Sequence, residues 1–203
     1  MIELPKECYV NKFIPKKTFY EKVQISTKIK QEFTDKVDKI IWKYKISEDN
    51  LNIKKTETVE EIEIFQIYLR ETYNCKNIIK VIQKNILYPI LFEIISGENV
   101  CYSIEYGKDL WTSEWNDEIL FQIQGINLKI VYENLVRKLI KKEERSISLE
   151  EEINKIKKIN LLEKEISKLK SKIKKEKQFN RKVEYNEQLI ELKHKLGEIT
   201  SNE

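Results

Sequence analysis

Tyr88–Tyr106 reads YPILFEIISGENVCYSIEY, and this stretch decides the fold class. Tyr88–Ile95 and Val100–Tyr106 are dense in Ile, Leu, Phe, Val and Tyr, the side chains that suit a pleated, half-buried surface. Between them lies Ser96-Gly97-Glu98-Asn99, a turn signal of the kind that reverses one strand into the next. The pattern predicts a β-hairpin. In the preceding segment, NCKNIIKVIQKNI at Asn74–Ile86, Ile78, Ile82 and Ile86 recur at helical spacing beside Val81. A helix beside a hairpin places the chain in the α+β class.

Reading outward toward the N-terminus, Glu60–Leu69 is a strand whose alternation slips around Ile64-Phe65, which a bulge or burial of both faces would explain. The polar stretch Ser47–Glu57 precedes it. In KIIWKYKIS at Lys39–Ser47, Ile40, Trp42, Tyr44 and Ile46 alternate with Lys39, Ile41, Lys43 and Lys45, which predicts a strand with three lysines on its wet face. Ser26 reads as the N-cap of a helix to about Val37, with Ile25, Ile29 and Phe33 on one face. Pro15 holds Phe13-Ile14 extended, and a short helix follows from Lys17. Toward the C-terminus, KDLWTSEWND at Lys108–Asp117 reads as a loop, Ile119–Gln124 as a short strand ended by Gly125, and Ile126–Lys142 as an amphipathic helix. The expectation is an α+β domain over residues 1–142, with a mixed or antiparallel sheet of four to five strands and helices on one face.

From Leu149 onward no strand pattern remains. Leu149, Ile153, Ile156, Ile159, Leu162, Ile166, Leu169 and Ile173 step by three or four, the seam of a coiled coil with one stutter. The seam restarts at Tyr185, Leu189, Leu192, Leu196 and Ile199, and KKEKQFNRK between them supplies no seam residue. We read a charged helical hairpin over residues 148–198, in which Ile166, Leu169, Ile173, Leu189, Leu192 and Leu196 form the partner-helix packing. One continuous helix is the alternative.

Charge is unevenly placed. The chain has 203 residues and a formal net charge of +4. Residues 1–140 carry 21 Lys+Arg against 21 Asp+Glu, whereas residues 141–203 carry 17 against 13. Lys168, Lys170, Lys172, Lys174, Lys175, Lys177, Arg181 and Lys182 face Glu176 alone. That field of about +7 suits phosphate or an acidic protein. Helical surfaces normally interleave Glu with Lys, and this stretch largely forgoes that support. With only 4 Gly and 3 Pro, loop-built active sites and Gly-rich phosphate cradles are disfavoured. Cys8, Cys75 and Cys101 lack metal or redox spacing and read as reduced thiols of a cytoplasmic protein. No apolar run nears 18 residues, so neither a signal peptide nor a membrane span is expected.

Leu4-Pro5-Lys6, VNKFIPKKTFYEK at Val10–Lys22 and EKQFNRKVEYN at Glu176–Asn186 resemble a bacterial and phage family known as domain of unknown function 4391. These blocks sit at opposite ends of the chain, so the similarity spans nearly all of it. The resemblance implies a role near DNA, as an accessory beside the helicases and DNA methyltransferases of restriction-like defence loci. It brings no catalytic residues with it.

The remaining constellations are thin. His194 is the only histidine, which removes Ser/His and Cys/His pairs from the core and reads as a solvated surface residue. Glu93, Glu105 and Asp109 are the carboxylates nearest to a Mg²⁺-nuclease arrangement, but Ile94-Ile95 follow Glu93 where such a site wants a Lys. They read as a solvated strand face and an acidic loop. Trp111 and Trp115, beside Tyr102 and Tyr106, offer a stacking platform for bases, although aromatic strands are more often core. No cofactor and no metal are expected. The functional expectation is a non-enzymatic accessory or scaffold that binds a protein partner through the hairpin. Direct nucleic-acid binding by Lys168, Lys172, Lys174, Lys175, Lys177, Arg181 and Lys182 is the alternative, and a metal-dependent nuclease a distant third. The coiled coil also offers a route to homo-oligomers.

Overall fold

A computed structural model describes residues 2–21, 24–141 and 147–200. The bounds Met1 and Lys142 placed on the first domain lie outside the described residues. The chain divides into two compact units, Met1–Glu143 and Glu144–Glu203.

In the first unit, Ile62 through Ile67 are all buried. The slip in alternation at Ile64-Phe65 therefore reflects a strand covered on both faces. This strand, β3 (Glu61–Leu69), lies inside a six-stranded mixed sheet with β1 (Tyr9–Ile14), β2 (Val37–Ser47), β4 (Ile90–Ser96), β5 (Asn99–Tyr106) and β6 (Asp109–Thr112). Spatial order equals chain order, β1 to β6. Every neighbouring pair is antiparallel except β3 and β4. A parallel pair needs a crossover, here made by helix α4 (Lys76–Asn85).

Side-chain alternation sorts the layers. Phe65 and Ile67 on β3, Phe92 and Ile94 on β4 and Cys101 on β5 share one face. They form one core with Phe19 of α1 (Lys17–Tyr20), Phe33 of α2 (Thr27–Lys36) and Ile78, Ile79 and Ile82 of α4. Ile64, Leu91, Tyr102 and Ile104 point the other way. That face receives α5 (Leu128–Leu139), whose Tyr132 ring meets Tyr106 at 5.7 Å. Helices thus cover both faces of the sheet, and the expectation of a single helical face is corrected. A four-residue helix, α3 (Glu48–Leu51), follows β2, and the Ser47 backbone N–H at its start donates to Asn50 Oδ1 at 2.8 Å.

The helix starts follow local chemistry. Ser26 Oγ accepts from Ile29 N at 3.4 Å, and Asn127 Oδ1 from Ile130 N at 3.0 Å. Gly97, at φ +59°, lets the β4–β5 hairpin reverse. At Gly125 a Cβ would lie 2.9 Å from the Val131 backbone nitrogen, so the approach to α5 requires a glycine.

Two strands exceed the sequence reading and one falls short. Tyr9–Ile14 is β1, its register interrupted between Tyr9 and Lys12, where Asn11 takes a positive φ of 48°. Asp109–Thr112, read as loop, is β6, turned back by Gly107 at φ +64°. Ile119–Gln124 is not a strand. It keeps the alternating burial of one, and Phe121 packs edge-on against Tyr102 at 4.9 Å, but no ladder partner lies beside it. Of the three lysines of β2, Lys39 is exposed, as expected, whereas Lys43 and Lys45 are half-buried. Lys39 lies over the Tyr68 ring at 4.4 Å, Lys43 over Tyr9 at 4.8 Å, and Lys45 pairs with Glu61 at 2.6 Å.

The second unit is a helical pair, α6 (Leu149–Lys175) and α7 (Phe179–Thr200), joined by three residues. The two helices pack on each other, so the continuous-helix alternative is set aside. Ser148 caps α6 in a box with Glu151: Glu151 N donates to Ser148 Oγ at 3.3 Å and Ser148 N to Glu151 Oε2 at 3.0 Å. Glu150, Glu151 and Glu152 in the first turn suit the helix dipole. Among the described residues, no helix is long and apolar enough to cross a membrane.

Candidate functional site

The seam residues are the less exposed ones of the pair. Ile166 and Leu169 are buried, and Ile173, Leu189, Leu192 and Leu196 are half-buried. Leu161 and Ile190, off the seam, stay 64% and 68% exposed.

The cationic residues gather where the two helices meet their connection. Lys168, Lys172, Lys174 and Lys175 occupy the closing turns of α6, Lys177 the connection, and Arg181 and Lys182 the opening turn of α7. All are exposed except Lys182, which is half-buried. Lys172 also reaches across to the Tyr185 ring, 5.8 Å from its centroid. Glu176 turns inward on the connection, its Oε1 accepting from Lys177 N at 2.8 Å and Gln178 N at 3.0 Å. Those backbone N–H groups, first Gln178 and then Lys177, hold its carboxyl below the usual range, with Arg181 and Lys182 adding to the effect.

Helix electrostatics divide this cluster in two. Lys172, Lys174 and Lys175 lie at the negative end of the α6 dipole, where cations stabilise a helix. Arg181 and Lys182 lie at the positive end of α7, whose first turn holds no acidic residue. There each cation opposes the dipole by some tenths of a kcal/mol. Helix stability therefore accounts for the α6 half of the cluster but not for the α7 half. Phe179, the first residue of α7, stands 77% exposed among these charges.

The sheet carboxylates do not converge. Glu93 pairs in register with Gln66 and Tyr102, whereas Glu105, three residues beyond Tyr102 on β5, points to the opposite face. Glu93 is fully buried, which corrects the reading of a solvated strand face. Its Oε1 accepts from Ile2 N at 2.9 Å and its Oε2 from Gln66 Nε2 at 2.6 Å. Burial, and after it the Glu93 carboxylate, pushes the Tyr102 phenol up to about 12. Among the described residues, no three His, Cys, Asp or Glu side chains are placed to hold a metal ion. The aromatics do not share a platform either: Trp115 packs on the helical core, Tyr102 on Phe121 and Tyr106 on Tyr132. Cys75 and Cys101 are buried thiols pushed up to about 12 by burial, so neither is a thiolate at neutral pH. His194 is exposed, 3.5 Å from Glu198.

One group escaped the sequence reading. Glu63 is buried on β3 and lines a cavity of about 310 Å³. The signal was a carboxylate at the third position of EIEIFQIYL, inside a strand rich in apolar residues on both faces.

The family model for "Domain of unknown function (DUF4391)" matches residues 2–196, covering both units. The chain belongs to the DUF4391 family. Within this family member, the match includes the cationic tip and stops a few residues short of the end of α7. No curated protein and no solved structure matches the chain.

Proposed function

We propose that this DUF4391 protein is a non-enzymatic accessory whose hairpin tip engages an anionic macromolecular partner. The observation that carries this reading is the opening of α7. Arg181 and Lys182 oppose the helix dipole there; the turn holds no acidic residue, and the carboxylate near them, Glu176 on the connection, offsets them in part. Such an arrangement costs helix stability, and an approaching anion recovers it. The family resemblance, with its setting beside DNA-acting enzymes, favours an acidic surface on a protein such as a helicase or DNA methyltransferase of a restriction-like defence system. Coiled-coil packing of the seam would hold the tip rigid for that contact, and a second copy of the hairpin is a further packing partner open to it.

Phe179 supports a second reading, direct binding of nucleic acid. An exposed aromatic among clustered cations offers bases a stacking surface worth about 1–3 kcal/mol per base. A salt titration of the full chain against a DNA oligonucleotide and against its co-purified partner separates the two. The variant carries Lys172→Gln, Lys174→Gln, Lys175→Gln and Arg181→Gln. For nucleic acid, the slope of log K against log salt falls by up to about 0.9 per lost contact, and Phe179→Ala weakens binding further. For an acidic protein, binding survives nuclease treatment, is lost in the quadruple variant and ignores Phe179→Ala. Equal affinity of wild type and quadruple variant at every salt concentration overturns both readings.

A further inference from the structure

The cavity beside Glu63 opens on the helical face of the sheet, between β1, α1, β2, β3 and the end of α4. Its walls are mainly apolar. Trp42 and Phe65 stack nearly parallel, 7° apart with centroids 6.3 Å from each other, and Phe19 and Tyr88 add two more rings. At about 310 Å³ the space falls at the small end of ligand sites.

The polar inventory of this cavity is one-sided. Glu63 is 3% exposed, and its Oε2 is buried without a hydrogen-bond partner in the protein. Asn85 donates through Nδ2 to the carbonyls of Phe19 (3.1 Å) and Val81 (2.8 Å), so it has only its acceptor Oδ1 to offer. The Trp42 indole N–H donates to the Tyr44 carbonyl at 3.1 Å. Glu61 lines the space as well, with one oxygen 2.6 Å from Lys45. Thr18 contributes a hydroxyl, and no Lys or Arg is among the described lining residues. What the cavity presents is acceptors, negative charge and aromatic faces. Its remaining donors are neutral hydroxyls, Thr18 and Tyr88, and what it lacks is a cation.

We propose that this cavity binds a small organic cation, a primary amine or amidinium on a flat apolar body. The nitrogen donates to Glu63 Oε2, and the body lies against the Trp42 and Phe65 rings. Each feature selects for that chemistry. A buried carboxylate oxygen without a hydrogen bond is costly; the Trp42 indole and Lys45 near Glu63 offset only part of that cost, and such an oxygen accepts a charged N–H donor more strongly than a neutral one. Aromatic faces attract cations and accept flat apolar groups. Phosphates and carboxylates are repelled by Glu61 and Glu63.

Protonation supplies an independent readout. Burial raises the Glu63 carboxyl to about 7, with Glu61 adding to the rise and the nearby Trp42 indole and Lys45 opposing it. β1, α1 and α4 contribute only uncharged side chains to the lining: Ile14, Thr18, Phe19 and Asn85. A bound cation favours the ionised form, so complex formation near and below neutrality releases a proton, and affinity falls as pH drops through that range.

The test is calorimetric titration of the full chain with phenethylamine and benzamidine, and with their neutral counterparts phenylethanol and benzamide. Runs in buffers of different ionisation enthalpy, below and above neutrality, count the protons. We expect each cation to bind at least roughly tenfold more tightly than its neutral counterpart, with proton release below neutrality only. In Glu63→Gln, which keeps the shape and removes the charge, both the preference and the proton release should vanish. Equal binding of cation and neutral counterpart to the wild-type chain overturns the proposal without any variant, as does failure of both cations to saturate the site at millimolar concentration. Undiminished cation preference in a folded Glu63→Gln variant overturns the role of Glu63.

Discussion

Gln66 and Glu93 stand opposite each other across the parallel pair β3 and β4, joined by a 2.6 Å hydrogen bond from Nε2 to Oε2. Around this bond a short chain of polar contacts runs through the sheet. Tyr68 Oη donates to Gln66 Oε1 at 3.2 Å, and the backbone N–H of Ile2 donates to Glu93 Oε1 at 2.9 Å. Glu93 is a buried carboxylate held by neutral donors, and such a group is costly to leave partly bonded.

Replacing Glu93 with Gln should therefore damage stability, not a catalytic step. The new amide sets one N–H against Gln66 Nε2 or against Ile2 N, and each clash leaves a buried donor unmet. We expect a loss of about 2–4 kcal/mol, read from the urea midpoint. Gln66→Leu, which strips one donor from Glu93, should cost a comparable amount. A change below about 0.5 kcal/mol in both variants would show the network to be dispensable.

Glu63 should imprint a pH dependence on folding. Its carboxyl lies at about 7 in the folded chain against an ordinary value of 4.5. Between those values the folded state binds the extra proton, so stability falls as pH rises through the window and levels off above it. The full effect is a few kcal/mol at most. Glu63→Gln has no such decline, so its stability relative to wild type should climb from about pH 5 to about pH 8. A flat difference across that range would remove the buried-acid reading.

The first unit should fold by itself. Its core joins β3, β4 and β5 to α1, α2 and α4, all within Met1–Glu143. A chain ending at Lys141 is expected to unfold cooperatively, with sharp near-ultraviolet dichroism. Molten or insoluble material would refute the two-part organisation.

In the helical pair, position decides the effect of a charge. Leu169 is buried on the seam, whereas Leu161 is 64% exposed. Leu169→Asp should lower hairpin stability by roughly 2 kcal/mol and abolish partner binding, while Leu161→Asp should stay within about 0.5 kcal/mol. Equal effects of the two substitutions in thermal unfolding followed by helicity would mean the seam is not the packed side.

Much of this fold is written in local pattern. The β4–β5 hairpin, the Ser26 cap and the α4 stripe can be read from a few adjacent residues, because turn chemistry and periodicity act over short range. β6 and the Ile119–Gln124 segment were misassigned for the complementary reason. Gly107-Lys108 is a turn signal, but whether four residues beyond it join a ladder depends on the free edge of β5. Ile119–Gln124 alternates correctly yet meets no edge. The cationic tip was visible because charge adds along the chain. The Glu63 cavity was not, because its walls come from Ile14, Trp42, Phe65 and Tyr88, brought together only by strand pairing. Glu93 was misplaced for the same reason, since its donors lie 27 and 91 residues away.

The coincidence of spatial and chain order in the sheet bears on how the molecule is made. Each strand from β2 to β6 finds its neighbour already laid down as it emerges from the ribosome, and α4 bridges the one parallel step. Pairings of short sequence separation favour rapid folding, and successive addition leaves a single growing edge to be kept from stray partners. One link in the sheet's interior runs against that order. The Ile2 N–H cannot reach Glu93 until β4 has arrived, so the segment around Ile2 waits on synthesis of the middle and is fastened down late.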